Sequence, residues 1–166
     1  MRCIAQLHRS PILVLVPSGD KPGTSPRRLS LWNCRTKSVI QEYGFDETVL
    51  GCAINKEFLV VGTEGVLSVF DLKTMSLCAK LSSRAGSVFA LSDEEESSLL
   101  AFPSPSTADA ANVEGSVSVY SCRQSRLVSK VDAHKTAGSV LSFNHQGTLL
   151  ASASSKGSIN RVFKVN

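Results

Sequence analysis

Short apolar runs punctuated by turn residues follow one another along the whole chain, and nowhere do apolar positions keep the 3.6-residue spacing of a helix. Some runs are continuous, such as Ile12-Leu13-Val14-Leu15-Val16, Phe58-Leu59-Val60-Val61 and Leu99-Leu100-Ala101-Phe102, the form of a strand covered on both faces. Others alternate, as in Ser116-Val117-Ser118-Val119, which places apolar side chains on one face only. The pattern predicts about fourteen strands, at 12–16, 28–33, 38–45, 49–54, 58–62, 66–71, 77–81, 87–91, 98–102, 116–121, 127–131, 139–143, 149–153 and 159–164. The fold class is all-β.

The strands recur as a unit. An apolar triplet (Leu59-Val60-Val61, Leu99-Leu100-Ala101, Leu149-Leu150-Ala151) is followed by a glycine turn and a strand ending in an aromatic and a polar or charged residue (Phe70-Asp71, Tyr120-Ser121, Phe163-Lys164). Trp32-Asn33 reads as an earlier copy of that ending. A period near 40 to 45 residues with four strands per unit is the signature of β-propeller blades, here at about 1–45, 46–82, 83–131 and 132–166. Gly62-Thr63-Glu64-Gly65, Glu114-Gly115 and Lys156-Gly157 fall between strands, where a hairpin turn often needs positive φ. Residues 17–27 and 103–112 lack β character and are expected as exposed loops. The count is about three and a half blades, whereas propellers close with four to eight, so the chain is expected to be a fragment or to complete its ring by pairing with something else.

Composition narrows the function classes. The apolar share of 42% and charged share of 19% fit a globular domain, and the net charge of +4 is dispersed, so it does not point to nucleic acid. Five scattered cysteines, with no pair at C-x-x-C spacing, argue against a zinc site or a disulfide framework and for a reducing compartment. The apolar run at 12–16 is too short for a signal segment, and nothing approaches the length of a membrane span. The acidic run Asp93-Glu94-Glu95-Glu96 reads as a solvated turn rather than a metal site. There is no G-x-S-x-G, P-loop or H-E-x-x-H, and no cofactor motif, so the chain is read as non-catalytic.

Several elements are more particular than a generic repeat: Leu29-Ser30-Leu31-Trp32-Asn33, Leu99-Leu100-Ala101-Phe102-Pro103, Asp132-Ala133-His134 and, above all, Ser152-Ala153-Ser154 followed by Gly157-Ser158-Ile159-Asn160-Arg161-Val162-Phe163. By these the chain resembles the PROPPIN family, WD-repeat β-propellers of autophagy and endosomal traffic. The resemblance implies a seven-bladed fold and binding of phosphatidylinositol 3-phosphate and 3,5-bisphosphate at two rim sites flanking a Phe/Leu-Arg-Arg-Gly motif. It also implies a peripheral location on preautophagosomal, endosomal or vacuolar membranes, with autophagy or trafficking proteins as partners. This chain would correspond to the second to fifth blades and end before that motif; its one adjacent arginine pair, Arg27-Arg28, lies in an earlier blade.

Carried over by resemblance, one lipid site would comprise His134, Ser152, Ser154, Gly157, Ser158 and Arg161. Hydroxyls and main-chain N–H groups donate to phosphate oxygens, and arginine clamps them in bidentate fashion. Two bland readings stand beside this one. His134 is equally a blade-junction histidine bonded within the fold, and the serines are equally small polar positions alternating along strands. The competing function is a WD-repeat protein-binding scaffold indifferent to lipid.

Overall fold

A computed structural model describes residues 3–7, 10–93, 98–105, 114–136 and 138–165. Most of the acidic run and most of the 103–112 segment lie outside these residues. The described residues form fifteen strands: β1 (Cys3–Gln6), β2 (Ile12–Val16), β3 (Arg28–Asn33), β4 (Ser38–Gly44), β5 (Gly51–Ile54), β6 (Phe58–Gly62), β7 (Val66–Asp71), β8 (Leu77–Ser82), β9 (Ala90–Leu91), β10 (Leu99–Pro103), β11 (Gly115–Ser121), β12 (Arg126–His134), β13 (Gly138–Phe143), β14 (Leu149–Ser154) and β15 (Asn160–Lys164). They pair antiparallel, each with its neighbour in sequence, into three four-stranded sheets and a final three-stranded one. The strands β1, β5, β9 and β13 are the innermost of their sheets and lie successively against one another, so the sheets are arranged radially as the blades of a partial propeller.

Three departures from the expected strands have local causes. β1 is additional: Cys3-Ile4-Ala5-Gln6 carries only a faint alternation and becomes a strand by pairing with β2. The strand expected at 87–91 shrinks to Ala90–Leu91, the pair that registers with Leu100 and Ala101. β12 runs on through His134, because Gly115 and Ser116 of β11 continue the ladder as partners of His134 and Asp132 past a bulge. Asp132-Ala133-His134 therefore finishes the third sheet, although the periodicity placed it at the start of the fourth blade.

The aromatic-polar strand endings are turn devices. Asn33 Oδ1 accepts the amides of Arg35 and Thr36, Asp71 Oδ1 accepts those of Lys73 and Thr74, and Ser121 Oγ accepts that of Gln124. Four residues beyond each, Lys37, Met75 and Ser125 take positive φ of 54°, 55° and 51°. The polar side chain holds the turn open to that left-handed residue and delivers the chain into the outer strand. The Asp71 carboxyl lies below its ordinary pKa because Thr74 and Lys73 donate to it.

The core lies between blades. On β6, Leu59 and Val61 join Val14, Val16, Leu29 and Leu31 of the first sheet, while Phe58 and Val60 face Leu100, Phe102 and Tyr120 of the third. On β10 the same division recurs, with Leu99 and Ala101 turned toward Leu141 and Leu150 of the fourth sheet. A strand covered on both faces has no polar side to alternate with, which is why these runs are continuous. The Asn55 side-chain amide donating to Ser92 O and the Arg123–Glu57 ion pair tie the second and third sheets.

The first and last sheets are covered on one face only, and Ile4, Val140 and Val162 are more than half exposed. No strand among the described residues pairs with the free side of β15. The isolated chain is therefore expected to self-associate through these edges and faces. Light scattering checks this: a monodisperse monomer across the micromolar range contradicts it.

Candidate functional site

The end of β12, the crossover to β13 and the β14–β15 hairpin meet at the junction of the third and fourth sheets, and the six candidate residues all lie there. The pairing of β14 with β15 sets Ser152 opposite Arg161 and Ala153 opposite Asn160. The intervening turn closes through Gly157 N–H donating to Ser154 O at 2.9 Å, Ser154 N–H to Ile159 O at 3.0 Å and Ile159 N–H to Ser154 Oγ at 3.3 Å. Gly157 holds φ of 67°, the left-handed conformation that this tight turn requires.

The candidates separate into three pairs. His134 and Ser152 are buried, with His134 Nε2 and Ser152 Oγ 2.9 Å apart, a bond that joins the third sheet to the fourth. His134 Nδ1 is also buried and has no hydrogen-bond partner among the described residues. In this arrangement the histidine acts within the junction. Ser154 and Gly157 serve the turn, since the hydroxyl of the one and the N–H of the other are engaged there. Arg161 and Ser158, by contrast, are exposed. One guanidinium nitrogen of Arg161 donates to Ala133 O at 2.8 Å, which fixes the side chain across the junction toward the end of β12.

A pocket of about 220 Å³ opens here, lined by Lys135, Thr136, Ser154, Lys156, Ser158 and Arg161, with His134 and Ile159 completing the wall. Three of its residues are cationic and none is acidic. Lys135 and Thr136 are the residues that the sequence reading missed. Their signal was adjacency to His134, but only the continuation of β12 turns that adjacency into a wall of the pocket. Hydroxyl and cationic donors without a carboxylate competitor suit an oxyanion of phosphate size. A larger hollow of about 570 Å³ lies between the first two sheets, with Ile12, Leu31, Ile40, Tyr43, Leu72 and Met75 beside Gln41 and Thr74, and Lys73 as its single cation. Among the described residues no three His, Cys, Asp or Glu side chains gather as metal ligands, and no helix is long and apolar enough to cross a membrane.

Comparison with known proteins agrees with this architecture. A family model described as PROPPIN matches residues 3–166. Autophagy-related protein 18 of Yarrowia lipolytica is 35% identical over 182 residues, covering 99% of this chain and 46% of that protein. Autophagy-related protein 18 of Mycosarcoma maydis is 33% identical over 181 residues, covering 98% of this chain and 40% of that one. Among solved structures, KlAtg21 in complex with the coiled-coil of AgAtg16 superposes with a TM-score of 0.84 at 23% identity, over 98% of this chain and 51% of that chain. The chain thus spans about half or less of the length of the relatives it matches.

Proposed function

As the chain belongs to the PROPPIN family, we propose that it reads phosphoinositide on membranes of the autophagic and endosomal pathways, as a non-catalytic effector, and that the junction pocket is its headgroup site. One observation carries this reading: Lys135, Lys156 and Arg161 converge with Thr136 and Ser158 on one pocket that has no acidic residue in its wall. In the proposed complex the Arg161 guanidinium, already oriented by Ala133 O, turns its remaining N–H donors to the phosphate. Lys135 and Lys156 supply charge, and the hydroxyls of Ser158 and Thr136 donate to the remaining oxygens. His134 and Ser152 hold the two sheets in register, and Ser154 and Gly157 shape the hairpin that carries Lys156 and Ser158.

The cations of this site are exposed, so its charge-assisted bonds are screened by salt. Flotation with vesicles containing phosphatidylinositol 3-phosphate, phosphatidylinositol 3,5-bisphosphate or unphosphorylated phosphatidylinositol tests the proposal. Retention on the first two at low salt, falling at least tenfold as ionic strength rises to about 0.5 M, is the expected result. Equal retention on all three, or binding indifferent to salt, overturns it.

The larger hollow between the first two sheets, with apolar and polar side chains in its wall, favours a second role, docking of a protein partner from autophagy or trafficking. The solved relative held with a coiled-coil gives that role a precedent in the fold. The two roles occupy different junctions and do not exclude one another.

A further inference from the structure

We propose that Cys3 and Cys52 form an inter-blade dithiol site, which a small-molecule disulfide such as glutathione disulfide oxidises to a covalent clamp between the first and second sheets. Cys3 lies on β1 and Cys52 on β5, the innermost strands of two different sheets, which lie against one another without sharing a backbone ladder. Their sulfurs are 2.7 Å apart although the residues are 49 positions apart in sequence. Each residue is only partly buried, so a small oxidant has access. Of the remaining cysteines, Cys34 and Cys78 are exposed, and Cys122 is buried, its thiol pushed up to about 12 by desolvation and by the charge of nearby Cys78.

The two thiols are electrostatically unequal, which assigns their roles. The hydrogen bond shared by the two sulfurs brings the Cys3 thiol down to about 7, whereas Cys52 is raised above the ordinary thiol range by the same bond and by burial. Cys3 is therefore the attacking thiolate near neutral pH. It displaces one sulfur of the oxidant, forming a mixed disulfide as the oxidant's S–S bond breaks and one thiolate leaves. That thiolate takes the Cys52 proton, and the Cys52 thiolate then attacks the Cys3 sulfur and expels the second small thiolate, which takes up from solvent the proton that Cys3 had released. The balance is two protein thiols and one disulfide giving one protein disulfide and two small thiols, and excess thiol reverses it.

The clamp would add a covalent link at the inner rim of the first junction, where packed side chains of the two sheets meet. The test is to incubate the chain with glutathione disulfide at pH 7.5, quench with acid, alkylate under denaturing conditions and separate it on a non-reducing gel. Peptide mapping of the monomer band is expected to yield a Cys3–Cys52 linked peptide, with Cys34 and Cys78 alkylated or carrying glutathione. Before oxidation, alkylation of Cys3 should set in at lower pH than that of an ordinary thiol and be faster than that of Cys52. Cys52→Ser should abolish the link and leave Cys3 as a stable glutathione adduct, and dithiothreitol should restore both thiols in the unsubstituted chain. Both cysteines alkylated, each with its own glutathione, or a link found only in dimer bands would overturn the proposal. A mixed-disulfide pattern unchanged by Cys52→Ser would do the same.

Discussion

Replacing Arg161 by alanine is expected to reduce retention on phosphatidylinositol 3-phosphate vesicles by tenfold to a hundredfold. The guanidinium is a cation already oriented before any ligand arrives, by its bond to Ala133 O. Losing a charged hydrogen-bonding partner costs about 1.5 to 3 kcal/mol, and a site with three cations has little else to compensate. Arg161→Lys should recover only part of the loss, because a single ammonium serves either Ala133 O or the phosphate and does not present the planar fork. Lys164→Ala, on the same strand but outside the pocket wall, removes the same unit of charge and should leave retention within about twofold, as a surface charge acting only through screened water does. Thermal melts of the three variants separate binding from folding, since the Ala133 O bond also joins two sheets. Equal retention by Arg161→Ala and the unsubstituted chain, with equal melting, would move the headgroup site away from this junction.

The second large effect concerns a place where two backbones touch. Gly86 lies in the connection between β8 and β9, and a methyl group built on it would sit 1.6 Å from Thr63 O and 2.7 Å from Thr63 C. The contact is reciprocal, for a methyl on Gly62 would lie 1.8 Å from Gly86 O. Relief requires the connection to withdraw from the end of β6, where Gly62 O accepts the Leu50 amide and Thr63 N–H donates to Val66 O. Gly86→Ala should therefore destabilise the chain by about 3 kcal/mol, at the upper end of what an overpacked interior costs. Gly44→Ala is the matched comparison: no atom lies within 4 Å of its added methyl and its φ is ordinary, so a change within about 0.5 kcal/mol is expected. Urea unfolding followed by circular dichroism measures both. Equal midpoints would mean that the connection moves freely away from Thr63.

This pair of glycines shows how far a sequence reading reaches. Gly62 and Gly65 flank one turn and were read alike, as residues of positive φ. Only Gly65, at 75°, has that conformation; Gly62 is needed because another backbone approaches it. A tight turn is a property of four neighbouring residues, whereas an approach across 24 positions leaves no local mark.

The same distinction runs through the fold and the site. Alternation, continuous apolar runs and the turn-holding Asn33, Asp71 and Ser121 are settled within a few residues by hydrogen-bond geometry and side-chain direction, so the all-β class and the blade repeat were legible from the chain alone. The hairpin from Ser152 to Arg161 is likewise one contiguous piece, and its residues were legible as a group. The division of labour within that group came from packing between sheets. The third sheet's outer strand continues three residues past the expected boundary, burying His134 against Ser152 and adding Lys135 and Thr136 to the pocket. Cys3 and Cys52 carry no sequence signal of their encounter, because which faces of two sheets meet depends on side-chain volumes summed over whole strands. Local hydrogen bonding determined the strands and their order; long-range packing alone decided which of their residues touch.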